Sequence, residues 1–153
     1  MNPYDGMIVP KAWGYEWCAF DNGAAAVWVL HIAKTRRTSL HAHPHKRTTL
    51  IVLHGQIAFT LEGVRSTLGP LDMRTIERGQ FHQSEALSEL EGAPTAEDGA
   101  WLLEIEQPSD KTDLVRAEDD YGRAGKPYEA ELLPYPNELL RLEIGIPSKF
   151  MGY

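Results

Sequence analysis

The sequence is poor in cysteine, in basic charge and in long apolar runs. Cys18 is the only cysteine, which excludes an internal disulfide framework and favours a reducing compartment. The net charge is −7, so the basic footprint of a nucleic-acid-binding protein is missing. The longest apolar run, residues 24–30, is far too short to cross a bilayer, and the N-terminus lacks the pattern of a signal peptide. We therefore expect a cytoplasmic protein that binds neither nucleic acid nor membranes.

The length and the spacing of turn signals indicate one β-rich domain. The chain has 153 residues, which suits a single core, and its hydrophobic fraction of 42% is ordinary for a globular protein. Short segments rich in apolar and β-branched residues alternate with turn signals such as the Asp-Asn-Gly at 21–23. These segments cover residues 13–17, 24–33, 40–43, 48–53, 56–63 and 101–108. Many short strands with little helix predict an all-β, closed or double-sheet fold.

Other stretches give different or divided signals. Residues 66–70 are interpreted as a turn, and a short helix is predicted around residues 114–120, ending near Gly122. The acidic stretch 84–100 is either a solvated surface loop or a lid over a site. Within the proline-containing tail, residues 137–145 fit either a helix or a strand. No internal repeat and no linker between two domains is evident.

Histidines are concentrated in residues 38–55, which contain four of the six. His41 and His43 are two positions apart, so on a strand both imidazoles would lie on one face. Neutral imidazole is a common ligand for divalent metals, so this pair is either half of a metal site or a polar strand end in solvent. His82 follows a turn at Gly79 and would bring a third imidazole to the start of a strand. His31, inside an apolar strand, is interpreted as a packed core residue.

These histidines also match the first motif of the cupin superfamily. The motif has two histidines separated by one residue, then four residues, a position usually held by glutamate, six residues and a glycine. Here it runs from His41 through His43 to Gly55, with Thr48 at the glutamate position. The chain therefore resembles cupins, which are jelly-roll β-barrels.

The second cupin motif is matched less completely. Its ending, glycine followed two residues later by histidine, is present at Gly79 and His82. Glu77 stands where proline is usual, and Ala86 stands where asparagine is usual. The resemblance implies that His41, His43 and His82 together bind a divalent first-row metal ion, for which Zn, Fe, Mn and Ni are all candidates.

Within the cupins, the chain is similar to the cupin domain of type II mannose-6-phosphate isomerases. The similarity is carried by KAWGY at 11–15, by the histidine segment, and by LLEIEQPSDKTDLVRAEDDYGR at 102–123. It covers roughly residues 9–125, and no nucleotidyltransferase domain is present. His41 stands where that branch has glutamine, so only His43 and His82 carry over from its ligand set.

The resemblance implies one cupin domain over residues 1–153, with a core at about 9–125. The extension 126–153 would pack either on the barrel or on a partner subunit. Cupin barrels commonly pair through their sheets, so the resemblance also implies a homodimer. The expected partner is a small-molecule substrate, with a sugar phosphate favoured by this branch of the family.

Three functions remain open from the sequence. The first is a metal-dependent sugar-phosphate or nucleotide-sugar isomerase or epimerase, with Glu104 as a base that moves a proton. Glu104 is alternatively a solvent-facing strand residue. Lys11, Lys46 and Arg47 would hold the phosphate, or they are ordinary surface cations. The second function is a three-histidine Fe(II) dioxygenase, and the third is a sugar-binding cupin without catalysis.

Overall fold

A computed structural model describes residues 7–87 and 99–124 together with the two residues of a C-terminal strand. The described residues contain strands and turns and no helix. The strands are β1 (Met7–Lys11), β2 (Gly14–Asp21), β3 (Ala26–Ile32), β4 (Leu40–Ala42), β5 (Arg47–His54), β6 (Ile57–Leu61), β7 (Val64–Leu68), β8 (Met73–Ile76), β9 (His82–Ala86), β10 (Ala100–Gln107), β11 (Val115–Glu118) and β12 (Leu133–Pro134). The predicted all-β class is therefore confirmed.

The strands form two antiparallel sheets. The seven-stranded sheet has the order β12-β1-β2-β3-β10-β5-β8, and the five-stranded sheet has the order β11-β4-β9-β6-β7. Buried side chains from both sheets join in one hydrophobic cluster, which includes Trp28 and Leu50 from the larger sheet and Ile57 and Phe59 from the smaller. Burying these apolar side chains is the main favourable contribution to the stability of such a fold.

Strand alternation explains which side chains of the larger sheet reach the interior. On β5, Thr48, Leu50 and Val52 are buried, and their register partners on β10 are Glu106, Glu104 and Leu102 in that order. Side chains two positions apart on a strand share a face. Glu104 and Glu106 therefore point inward, on the same face of β10 as Leu102. This end of the barrel is therefore polar.

Two local predictions were wrong, and in both cases pairing with another strand determined the outcome. Residues 114–120 are not helical, because Val115–Glu118 form β11 and pair with β4. Residues 66–68 are not in a turn, because they complete β7 against β6. Short helices are only marginally stable on their own. Pairing with a neighbouring strand satisfies the same backbone hydrogen-bonding groups and also buries side chains against the sheet.

Parts of the sequence-based interpretation fall outside the described residues. The acidic stretch contributes its first residues to β9 and its last to β10, and residues 88–98 are not described. The segment 137–145 is also outside the description. Within the extension, β12 pairs with β1 of the same barrel, with Ile8 opposite Leu133. In the part of the chain that is described, no helix is long and apolar enough to span a bilayer.

Candidate metal centre

Three histidines from the smaller sheet and its adjoining loop meet at the polar end of the barrel. His41 lies on β4 directly opposite His82 on β9, and His43 follows the end of β4. The ring centroids are 4.3 Å apart for His41 and His82, 5.0 Å for His41 and His43, and 5.2 Å for His43 and His82. One ring nitrogen from each residue lies within 4.8 Å of the others. The structure thus brings together the three histidines that the sequence indicated.

Backbone hydrogen bonds fix the tautomer of all three rings. Each Nδ1 contacts a carbonyl oxygen: Ser39 for His41 at 2.8 Å, Asp113 for His43 at 2.7 Å and Gln80 for His82 at 3.0 Å. Because a carbonyl can only accept, each Nδ1 carries the hydrogen and each Nε2 keeps its lone pair. Within the described residues, the buried Nε2 of His82 has no hydrogen-bond partner. A metal ion would satisfy this atom, so the donor set fits a divalent metal site.

The three imidazoles are held in the neutral form that metal binding requires. Burial lowers the pKa of His82 to about 4. Burial and the nearby Lys46 ammonium lower the pKa of His43 to about 2. The pKa of His41 lies well below its ordinary value because of burial and the other two rings. At neutral pH, protons therefore do not compete with a metal for these nitrogens.

Thr48, at the position where cupins usually have glutamate, adds no carboxylate to the centre. It is buried on β5, and its hydroxyl oxygen has no hydrogen-bond partner among the described residues. The only group of metal-binding side chains found in the described part of the chain consists of the three histidines. A neutral ligand set leaves the full charge of a divalent ion uncompensated, which favours an anion at its open positions.

The histidines line a cavity of about 550 Å³, measured with its open mouth. Its lining includes five basic side chains, Lys11, Lys46, Lys111, Arg116 and Arg123. The acidic side chains among the described residues of the lining are Glu16 and Glu104. A basic cavity in a chain with net charge −7 attracts anions from solution.

A network of alternating charges forms part of the wall of this cavity. Lys11 Nζ lies 3.5 Å from Glu16 Oε1, and Lys111 Nζ lies 3.4 Å from the same oxygen. Lys111 Nζ is 3.9 Å from Glu106 Oε2, which also forms a close ion pair with Lys46 Nζ. The side chains of Lys46 and Glu106 are only 2% and 3% exposed. Each lysine of this network contacts a carboxylate, but the three lysines share only two carboxylates.

The pairing of Lys46 with Glu106 gives a prediction about stability. Removing one partner of a buried ion pair leaves an uncompensated charge, which typically costs about 3–5 kcal/mol. Glu106→Gln should therefore lower the free energy of unfolding, measured in urea, by about that amount. The matched control is Glu77→Gln, because Glu77 pairs with Arg47 at the surface and such pairs contribute less than about 1 kcal/mol. Equal losses in the two variants would contradict the prediction.

Glu104 is partly buried on β10 and faces the cavity. Burial raises the pKa of its carboxyl group to about 7, with Lys111 acting against the shift and Glu16 adding to it. A carboxyl group with a pKa close to neutral can both accept and return a proton at physiological pH. Its inward position differs from the solvent-facing alternative that the sequence left open.

The remaining residues predicted for the site have different locations. Lys11 and Lys46 line the cavity, whereas Arg47 is half exposed and lies 3.0 Å from Glu77 on the outer surface. His31 is buried, with its ring centroid 4.6 Å from that of Trp101, which confirms it as a core residue.

Sequence reasoning missed several residues of the cavity: Glu16, Lys111, Arg116 and Arg123. The two arginines lie in the DLVRAEDDYGR segment that carried the family resemblance. Because a helix was predicted for this segment, the sequence did not indicate that Arg116 lies on a strand beside His41. Lys111 follows the end of β10 and is preceded by no pattern that would predict its burial.

No protein-family model and no curated protein matches the chain. Solved structures do match. KdgF from Halomonas sp. is 14% identical with a TM-score of 0.59, and the match covers 72% of this chain and 92% of that one. An RmlC-like cupin from Shewanella frigidimarina is 16% identical with a TM-score of 0.57, covering 72% and 90%. Streptomyces Pac13 with uridine is 12% identical with a TM-score of 0.60, covering 74% and 86%. The chain has the cupin fold.

The cupin fold accounts for the glycine that ends the first motif. Gly55 follows β5 with φ of 77°, a conformation that side chains other than glycine rarely adopt. A Cβ atom there would lie 2.5 Å from the carbonyl oxygen of Gly99, just before β10. The close approach joins the end of β5 to the start of β10, and β10 carries Glu104 into the cupin barrel.

Proposed function

We propose that this cupin is a metal-dependent isomerase of an anionic sugar, in which Glu104 moves a proton between neighbouring carbons. One observation carries the proposal. A carboxyl group whose pKa is about 7 shares a cavity with three histidines prepared for a metal and with five basic side chains. These are the parts that isomerisation next to a carbonyl needs: a base, a Lewis-acid position and a positive surround for the substrate.

The roles follow from the positions of the groups. A divalent metal held by His41, His43 and His82 would supply polarisation of the substrate carbonyl. Glu104 takes the proton from the adjacent carbon, the C–H electron pair becomes the C=C bond of an enediolate, and the C=O electron pair passes to the carbonyl oxygen. That oxygen gains the proton of the neighbouring hydroxyl group, and Glu104 then returns its own proton to the former carbonyl carbon as the new C=O bond forms. Lys11 adds positive potential that favours a phosphorylated substrate.

The similar structures support an enzyme of small molecules in a broad sense. Pac13 is described as a nucleoside dehydratase, CapF from Staphylococcus aureus as a capsular polysaccharide assembling protein, and DddQ from Ruegeria pomeroyi as a DMSP lyase. None of these points to mannose-6-phosphate isomerase. That finer assignment, like a sugar-phosphate substrate and a homodimeric state, rests on the sequence resemblance and belongs to the proposal.

The direct test is solvent isotope incorporation. Metal-loaded protein would be incubated in D₂O with a panel of aldose and ketose phosphates and sugar acids and followed by proton NMR. We expect interconversion of one pair with deuterium entering at the carbon next to the carbonyl, because the proton on Glu104 exchanges with solvent. Absence of both interconversion and exchange across the panel would contradict the proposal.

The neutral three-histidine set also suits Fe(II) and oxygen chemistry, which keeps a dioxygenase as the second candidate. Isomerisation consumes no oxygen, so a measurement of oxygen uptake distinguishes the isomerase from the dioxygenase. Oxygen uptake by Fe(II)-loaded protein that depends on substrate would favour the dioxygenase. A sugar that binds and shows neither exchange nor oxygen uptake would favour a cupin that only binds.

A further inference from the structure

Arg116 belongs to the same cross-strand row as two of the histidines. On the smaller sheet, Arg116 of β11 is the register partner of His41 on β4, and His41 is the partner of His82 on β9. Residues directly opposite on antiparallel strands point to the same face and lie about 4.5–5.5 Å apart. Arg116 is 7% exposed and lines the cavity. A buried guanidinium therefore lies one strand away from the candidate metal ligands.

The lysines of the cavity differ from this arginine in location. Lys11 and Lys111 lie within 4 Å of Glu16, and Lys46 lies close to Glu106. Lys11, Glu16 and Glu106 lie on strands of the larger sheet, and Lys46 and Lys111 lie in loops next to its strands β5 and β10. Arg116 instead stands on the histidine side of the cavity, where it is the residue next to His41 in the row.

We propose that Arg116 and the metal position form a clamp for a single oxyanion, either a carboxylate or a phosphate, carried on or next to the reacting carbon. A divalent ion held by neutral imidazoles keeps its full charge, and the guanidinium one strand away faces the same cavity. An oxyanion between them would contact both. The planar fork of arginine also matches two oxygens of such a group at once.

The clamp narrows the class of substrate. Adjacent strands are separated by about 4.8 Å, so an anion that contacts Arg116 lies close to whatever atom the metal position polarises. The substrate is then a sugar acid or a short sugar phosphate, and not the hexose 6-phosphate that the sequence resemblance implies, whose only anionic group is at the far end. This inference rests on the proposed metal function and deepens it.

The test measures coupling between anion and metal rather than turnover. The affinity of the protein for Zn²⁺ would be measured by calorimetry without anion, with inorganic phosphate and with glycolate, which carries a carboxylate next to a hydroxyl. Coupling between two bound groups commonly changes affinity by about 5–150-fold. We expect at least one of these anions to tighten Zn²⁺ binding about tenfold in the wild-type protein. The anion that does so identifies the carboxylate or the phosphate as the preferred group.

Variants of Arg116 make the test specific. Arg116→Gln should reduce the anion effect to less than about twofold, and Arg116→Lys should keep part of it, because lysine retains the charge but lacks the fork. Arg116→Met, which keeps an apolar stem, replaces Arg116→Gln if that variant does not fold by circular dichroism. Arg65→Gln is the matched control, since Arg65 is exposed on the same sheet and pairs with Glu85.

Failure of the clamp and failure of the proposed function give different results. If Zn²⁺ binds and neither anion changes its affinity, or the change is the same in Arg116→Gln, the clamp is wrong and the metal function stands. If the wild-type protein binds no Zn²⁺ at the histidines, both are wrong.

Discussion

Glu104→Gln is expected to lower kcat for the proposed isomerisation by about 10²–10⁴-fold, the usual contribution of a general base. Glutamine keeps the shape of the side chain but cannot take the proton. The metal content, measured by elemental analysis, should stay the same because the three histidines proposed to bind it come from the opposite sheet and its adjoining loop. Glu77→Gln, on the outer surface, should leave both quantities unchanged.

The pH dependence follows from the raised pKa of Glu104. In the wild-type protein, kcat/KM should rise with pH and level off above about pH 7, because the base must be deprotonated. Stability should change in the opposite direction. Between about pH 4.5 and pH 7 the folded state keeps a proton that the unfolded chain has lost, so this carboxyl's contribution to stability falls as pH rises.

Glu104→Gln removes that dependence and should therefore gain stability relative to wild type when the pH is raised from 4 to 8. Thermal unfolding of both proteins at the two pH values checks this. A difference between the proteins that is independent of pH would contradict the raised pKa, and a flat kcat/KM profile would contradict the role of Glu104 as the base.

His82→Ala is expected to have the second large effect, a loss of metal affinity of at least about 100-fold. Changes in groups that merely orient a ligand already cost about 10–100-fold, and this variant removes a ligand itself. At a metal concentration of 100 times the wild-type Kd, the metal stabilises the wild type by about 2.7 kcal/mol. The same concentration should stabilise the variant by no more than about 0.4 kcal/mol.

The thermal shift on adding Zn²⁺ measures this difference. His45→Ala is the matched control, because His45 comes from the same segment but its side chain is 86% exposed and paired with Asp113. Equal metal-dependent shifts in His82→Ala and the wild type would show that the ion binds elsewhere.

Local patterns predicted many of the strands, and the spacing of the histidines together with the cupin resemblance indicated the three-histidine group. The apolar, β-branched segment 48–53 and the segment 101–108 appear as β5 and β10, and the Asn-Gly turn at 22–23 joins β2 to β3. His41 and His43 share a face because of their spacing, and His82 is placed by the turn before it. Each of these features depends on neighbours within a few residues, which is the information that a single sequence contains.

The positions of the charged residues depend on pairing over long distances. Arg116 meets His41 only because β11 pairs with β4, 75 positions earlier in the chain (116 − 41). Lys46 comes from a polar turn that looks exposed, and its buried ammonium group forms an ion pair with Glu106 of β10. Local periodicity does not specify which strands pair or in what register. The sequence therefore indicated Lys11, Lys46 and Glu104 for the cavity but not Glu16, Lys111, Arg116 and Arg123.

The pairing of β12 with β1 has a practical consequence for shortened versions of the protein. With Leu133–Pro134 in place, the N-terminal strand is bonded on both sides, to β12 and to β2. A chain cut before residue 133 would leave β1 with an open row of backbone donors and acceptors, the kind of surface through which separate molecules join into aggregates. Truncations that preserve solubility should therefore end after Pro134.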